Sequence, residues 1–117
     1  MRKHQQLRVW QEAMKLVVAV YAITSSFPVS ERYGLVSQMQ RAAVSVPSNI
    51  AEGAARGSKA DFLRFLYIAR GSLSELETQL QIAQRLGYLH DLSIISAQID
   101  SVFNQLGGLI KHLKVAP

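Results

Sequence analysis

The sequence predicts an all-α chain folded as one antiparallel, up-down-up-down four-helix bundle, a single domain over residues 1–117. Three observations predict it. Apolar residues recur every three or four positions through long segments. The breaks between segments are short and carry Pro, Gly, Ser or Asp. No stretch alternates apolar and polar residues as a half-buried strand would. Short connections make consecutive helices fold back on each other, and a chain of this length buries about two-thirds of the surface it exposes when unfolded.

The first helix carries Val9, Ala13, Leu16, Val20, Ile23 and Phe27 on one stripe, with Trp10, Met14, Val17 and Tyr21 running beside it. The segment "FPVSE" at 27–31 ends it, and Ser30 is placed to cap the second helix. That helix presents Ala42, Val46, Ile50 and Ala54 on one face. It is expected to be interrupted or kinked near Pro47, which offers no N–H to the carbonyl of Ala43 and whose ring clashes there, a cost of about 3 kcal/mol in a helix interior. "RGSKAD" breaks the chain again at Gly57, and Ser58 with Asp61 forms a capping-box-like start to the third helix. Its seam is Phe62, Leu66, Ala69, Leu73, Leu76, Leu80 and Ala83. Gly87 closes it, and Asp91 is placed to cap the fourth, whose seam is Leu92, Ile95, Ile99, Val102, Leu106, Leu109 and Leu113. Phe103 and Ile110 lie beside that seam. The second stripe of the first helix and these two residues exceed what a surface helix needs, which points to a homo-oligomer.

Around Pro47, residues Arg41, Ser45, Asn49, Glu52 and Arg56 fall on one polar stripe, with Ser48 at its edge. One reading is a recognition surface built at a kink. The favoured one is structural: Ser45, Ser48 and Asn49 rebond carbonyls freed by the proline, and Glu52 pairs with Arg56. Ser72, Glu75 and Gln79 on the third helix form a matching polar line, and Gly71 beside them suggests a close backbone approach. Such a network would fix helix register, whether buried or at an interface.

The stretches "SQMQRAAVSVPSNIAEGAARGS" and "FLRFLYIARGSLSELETQLQIAQRLGYL", with "LRVWQEAMKLVVAVYAITSSFP" and "ERYGL" before them, resemble the four-helix-bundle family encoded in intervening sequences of bacterial 23S ribosomal RNA genes. The resemblance covers nearly all of residues 7–90, and the fourth helix matches in pattern. It implies an antiparallel bundle that assembles into a homopentamer. Relatives in that family include accessory proteins of diversity-generating retroelements, which bind nucleic acid and a reverse transcriptase. Ser45, Pro47, Asn49, Glu52 and Gly53 match its motif, and the resemblance supplies no catalytic assignment for them.

Several chemistries lack their residues. Without Cys there is neither a disulfide nor a thiolate metal site, and a cytoplasmic location is expected. Gln11, Glu12 and Lys15 interrupt the N-terminal apolar run, so neither a signal peptide nor a membrane span is expected. No Glu precedes a His by three positions, as a di-iron bundle site requires, and neither a P-loop nor a dinucleotide fingerprint occurs. His90 beside Asp91 reads as a loop end. No metal, no cofactor and no enzymatic activity are expected.

Charge is the informative residue property. The net charge is +5, and residues 1–70 hold ten Lys/Arg against four Asp/Glu. In the expected topology Arg2, Lys3, Arg8, Arg56, Lys59, Arg64, Lys111 and Lys114 share one pole. Arg56, Lys111 and Lys114 suit the C-terminal ends of their helices, whereas Arg2, Lys3, Arg8, Lys59 and Arg64 sit at N-termini, where cations are disfavoured. Anion binding accounts for them. The expectation is therefore an oligomeric accessory protein that binds RNA, ribosomal RNA among the candidates, by phosphate geometry rather than base sequence. The alternative is a scaffold that docks a protein partner such as a reverse transcriptase. Trp10 is expected in the core or an interface rather than stacked on a base.

Overall fold

The computed structural model describes residues 1–115; Ala116 and Pro117, the last two of the expected domain, lie outside the described residues. A 3₁₀ turn, Lys3–Gln6, precedes α1 (Arg8–Thr24). A second, Val29–Glu31, precedes α2 (Leu35–Ala55), and α3 (Lys59–Arg85) and α4 (Ser93–Val115) follow. The molecule is a rod of 49 × 23 × 22 Å, of which the longest helix, α3, spans about 40 Å at about 1.5 Å per residue. No strand occurs among the described residues, and none of their helices is long and apolar enough to cross a membrane.

The core follows the helical periods. Val9, Ala13, Leu16, Val20 and Phe27 are buried from the α1 side, Ile23 of the expected stripe is only partly buried beside the buried Thr24, and the whole expected α3 seam is buried. On α2, Ala42, Val46, Ile50 and Ala54 are buried together with Met39, Ala43 and Pro47. The expected α4 seam holds from Ile95 through Leu106, Leu92 being only partly buried ahead of the helix, and then shifts: Ile110 is buried, while Leu109 and Leu113 pack only partly against the core. A straight helix of 3.6 residues per turn drifts against a strict heptad, and by the end of α4 the drift has brought Ile110 to the centre. The second stripe of α1 splits the same way, with Trp10 and Val17 partly buried and Met14 and Tyr21 exposed.

Helix ends explain the connections. Ser58 caps α3, its hydroxyl accepting from the Asp61 N–H at 3.1 Å. At the other end Gly87 takes a left-handed φ of 81°, which lets the Tyr88 N–H reach the Ala83 carbonyl at 2.9 Å and the Gly87 N–H reach that of Gln84 at 3.0 Å. This is the six-to-one and five-to-two closure that a C-terminal glycine permits. Asp91 accepts from the Ser93 N–H at 2.9 Å and so caps α4; that bond holds its carboxyl below the usual carboxylate range. The expected cap of α2 at Ser30 is corrected. The 3₁₀ turn occupies 29–31, α2 begins only at Leu35, and the Glu31 carboxylate accepts from the Leu35 N–H at 3.3 Å.

Glu31 also ties the two connections at that end. Tyr88 donates its hydroxyl to the Glu31 carboxylate at 2.8 Å, and its ring lies 5.4 Å from that of Phe27. The hydrogen bond to Glu31, with some desolvation and the carboxylate's negative charge, raises the Tyr88 pKa above the ordinary 10.0. Folding therefore favours the protonated phenol. Its contribution is complete below the unfolded value and is lost as pH rises through the higher folded value. Thermal melts from pH 8 to 12 are expected to show a larger alkaline loss of stability in the unaltered protein than in Tyr88→Phe. Parallel pH profiles for the two proteins would rule the coupling out.

Candidate functional site

Pro47 does not interrupt α2: the helix runs unbroken from Leu35 to Ala55 with the proline buried inside it. The side-chain bond that forms here goes to a different carbonyl from the one the proline strands. Asn49 donates its Nδ2 to the Ser45 carbonyl at 2.7 Å and to the Ser45 hydroxyl at 2.9 Å. Ser45 in turn shares a 2.8 Å hydrogen bond with Ser72 on α3. The half-buried Asn49–Ser45–Ser72 chain therefore fixes the register of α2 against α3. Arg41 and Glu75 are exposed and stand outside it, Ser48 is exposed, and Gln79 is buried with its Oε1 unpartnered.

The close approach of α2 and α3 lies at Gly53, not at Gly71. A Cβ on Gly53 would sit 2.7 Å from Phe65 Cβ, 3.1 Å from Phe62 Cδ1 and 3.3 Å from the Phe62 carbonyl oxygen. A Cβ on Gly71 would meet nothing within 4 Å, and that residue is exposed. From Gly53 the contacts recede from the connecting turn in step on both helices, reaching the Ser45–Ser72 pair.

Cations gather on the two rings packed at Gly53. Lys3 Nζ lies 5.3 Å from the centroid of Phe62. Arg56 Cζ and Arg64 Cζ lie 5.0 and 4.5 Å from that of Phe65. Glu52 pairs with Arg56 at 2.8 Å, as the sequence spacing suggests, and Asp61 with Arg64 at 3.7 Å. Arg2, Lys3 and His4 line a shallow depression with Ala51, Ala54 and Ala55 of α2. The N-terminal turn is fastened there by the Arg2 N–H on Gln5 Oε1 at 2.7 Å and by Gln11 Nε2 on the Gln5 carbonyl at 2.9 Å. Arg2, Lys3, Arg56 and Arg64 are thus brought to one end of the rod by three elements. Arg8 and Lys59 open α1 and α3 immediately beside them, both exposed. Lys111 and Lys114 occupy the last turns of α4.

Sequence reading places Phe62 in the core seam and leaves Phe65 unassigned. Their use as platforms for cations depends on a contact between α2 and α3 that no local pattern encodes; the one hint is a glycine set opposite aromatic residues. Along the α1–α2 side a groove of about 400 Å³ is lined by His4, Trp10, Met14, Val17, Val44 and Pro47, among others. Among the described residues no group of three or more His, Cys, Asp or Glu side chains could hold a metal.

A family model described as 23S rRNA-intervening sequence protein matches residues 5–111. The chain belongs to this family. A search of curated proteins finds no match. Among solved structures, a protein of unknown function from the S23 ribosomal protein family of Bacteroides thetaiotaomicron is similar, with a TM-score of 0.64 and 26% sequence identity over 90% of this chain and 94% of that one. The family match takes in the Asn49–Ser45–Ser72 chain, the Gly53 crossing and the cations Arg56, Lys59 and Arg64.

Proposed function

We propose that this 23S rRNA-intervening sequence protein is a non-enzymatic, oligomeric accessory protein of the cytoplasm that binds RNA through its basic end. The gathering of Lys3, Arg56 and Arg64 on Phe62 and Phe65 carries the reading, because it concentrates cations from three separate elements. Lys111 and Lys114 join them if α4 runs as the short connections imply. Fixed cations on a rigid helical end suit phosphates, whose spacing in a duplex is regular whatever the sequence.

Self-association is supported by apolar surface on α1 and α2. Met14, Val18, Tyr21 and Val44 are all at least 40% exposed, beside the groove at Trp10. Five copies, the number the family resemblance implies, would carry roughly +25 in total, and side-by-side packing would turn their basic ends the same way. The scaffold reading finds support at the far end of the rod, where Val29, Tyr33 and Ile94 are each more than three-quarters exposed.

Binding to a structured ribosomal RNA fragment and to an unrelated RNA duplex, measured across a salt series, tests the RNA reading. The expected result is tight binding near physiological salt that favours the structured fragment. Weak binding that disappears with salt and ignores RNA identity would contradict it and turn the search toward a protein partner.

A further inference from the structure

Diffuse positive charge needs no aromatic platforms and no glycine crossing, yet three cations here lie over rings packed at such a crossing. Gly53 lets α2 approach α3 closely enough that Phe62 and Phe65 pack against its backbone. Those rings then hold Lys3 from the N-terminal turn, Arg56 from the end of α2 and Arg64 from α3. Arg56 and Arg64 share one ring, so their separation cannot exceed their two ring distances together, about one Debye length at physiological salt. Like charges within that range repel each other, and the exposed carboxylates of Glu52 and Asp61 beside them offset this only in part.

We propose that Lys3, Arg56 and Arg64 form a defined phosphate-binding site, assembled by the Gly53 crossing, whose ligand is a phosphate group of a polyanion. The source of that phosphate as an RNA backbone rests on the RNA reading above; the site itself does not. Glu52 and Asp61 do not fill it. The Glu52 bond uses one Arg56 nitrogen, Nη2, and the Asp61 contact is 3.7 Å from Arg64 Nε. A guanidinium carries five N–H donors in a planar fork, so one carboxylate leaves donors for a phosphate. Both ion pairs are exposed, and such pairs are weak enough to rearrange around a ligand. The Phe65 ring lies 5.0 and 4.5 Å from the two guanidinium carbons and biases both toward one place, which charge alone does not do.

The test is charge-neutral. Phe65→Leu keeps the net charge, and the double variant R56K/R64K keeps both charge and core while removing the planar forks. Arginine side-chain Nε resonances are followed by NMR during titration with tripolyphosphate, and affinity for duplex RNA is measured at fixed salt. The expected result in the unaltered protein is shifts concentrated at Arg56 and Arg64, with little change at Arg32 and Arg85. Both variants should bind RNA roughly three- to tenfold more weakly, Phe65→Leu through the lost ring contact and R56K/R64K through the lost planar forks. A melting curve for each variant separates this from unfolding, and R56K/R64K decides the matter if Phe65→Leu folds poorly. Equal shifts at all arginines, or wild-type affinity in R56K/R64K, would overturn the site. Concentrated tripolyphosphate shifts without any binding of duplex RNA would support the site, with a free polyphosphate as its ligand, and would overturn the RNA reading.

Discussion

Gly53→Ala is expected to lower stability by about 1–3 kcal/mol, the usual cost of forcing a methyl group into a packed contact. The added Cβ would lie 2.7 Å from Phe65 Cβ and 3.3 Å from the Phe62 carbonyl, and neither is the far end of a flexible side chain. Relief requires α2 and α3 to separate, which also strains the Ser45–Ser72 bond two turns away. The loss should outweigh alanine's advantage as a helix former, about 1 kcal/mol over glycine. Gly71→Ala is the matched control. It sits in an exposed part of α3 with nothing within 4 Å of its Cβ position, so the same change there should stabilise by roughly 0.5–1 kcal/mol. Calorimetric melts of the two variants should move in opposite directions. A Gly53→Ala protein as stable as the parent would mean the crossing is looser than described.

Phe27→Ala is expected to cost about 3 kcal/mol or more. Phe27 lies beyond the end of α1, yet only 7% of it is exposed, and its ring packs 5.4 Å from Tyr88 in the opposite connection. Its own N–H is held by the Thr24 carbonyl at 3.1 Å. Removing the ring leaves a cavity where two connections meet, and these have little regular structure with which to close it. The single tryptophan, Trp10, gives a fluorescence signal for urea unfolding. A midpoint shift worth less than about 1 kcal/mol would show that the connections collapse to fill the gap.

The helix seams are legible because burial in a bundle is decided by period, and the period is written in the residues. The α1 and α3 seams and the buried Val46 and Ile50 of α2 need only the spacing of apolar side chains. What period does not encode is how near a neighbouring helix comes. Gly53 and Gly71 look alike as glycines within helices, and only the packing of Phe62 and Phe65 separates them. The α2 cap shows a second gap. A 3₁₀ turn moved the helix start past Ser30, and Glu31 reached the freed N–H with its longer side chain. Pro47 shows a third: a lost backbone bond did not end a helix buried against its neighbours, and Asn49 bonded Ser45 rather than Ala43. At the candidate site the cations are plain from charge counting, but the rings that hold them emerge only once α2 and α3 are in contact.

The proposed RNA-binding surface is the basic end, and not the general positive charge of the chain. Charge reversal of Lys59 and Arg64 to Glu tests it most directly, set against the same reversal of Arg32 and Arg85 at the other end of the rod. RNA affinity should fall for the first pair, and its dependence on salt should shrink by about one for each cation that contacted a phosphate. The second pair should bind nearly as the unaltered protein does. Equal losses from both pairs, or none from the first, would contradict the account.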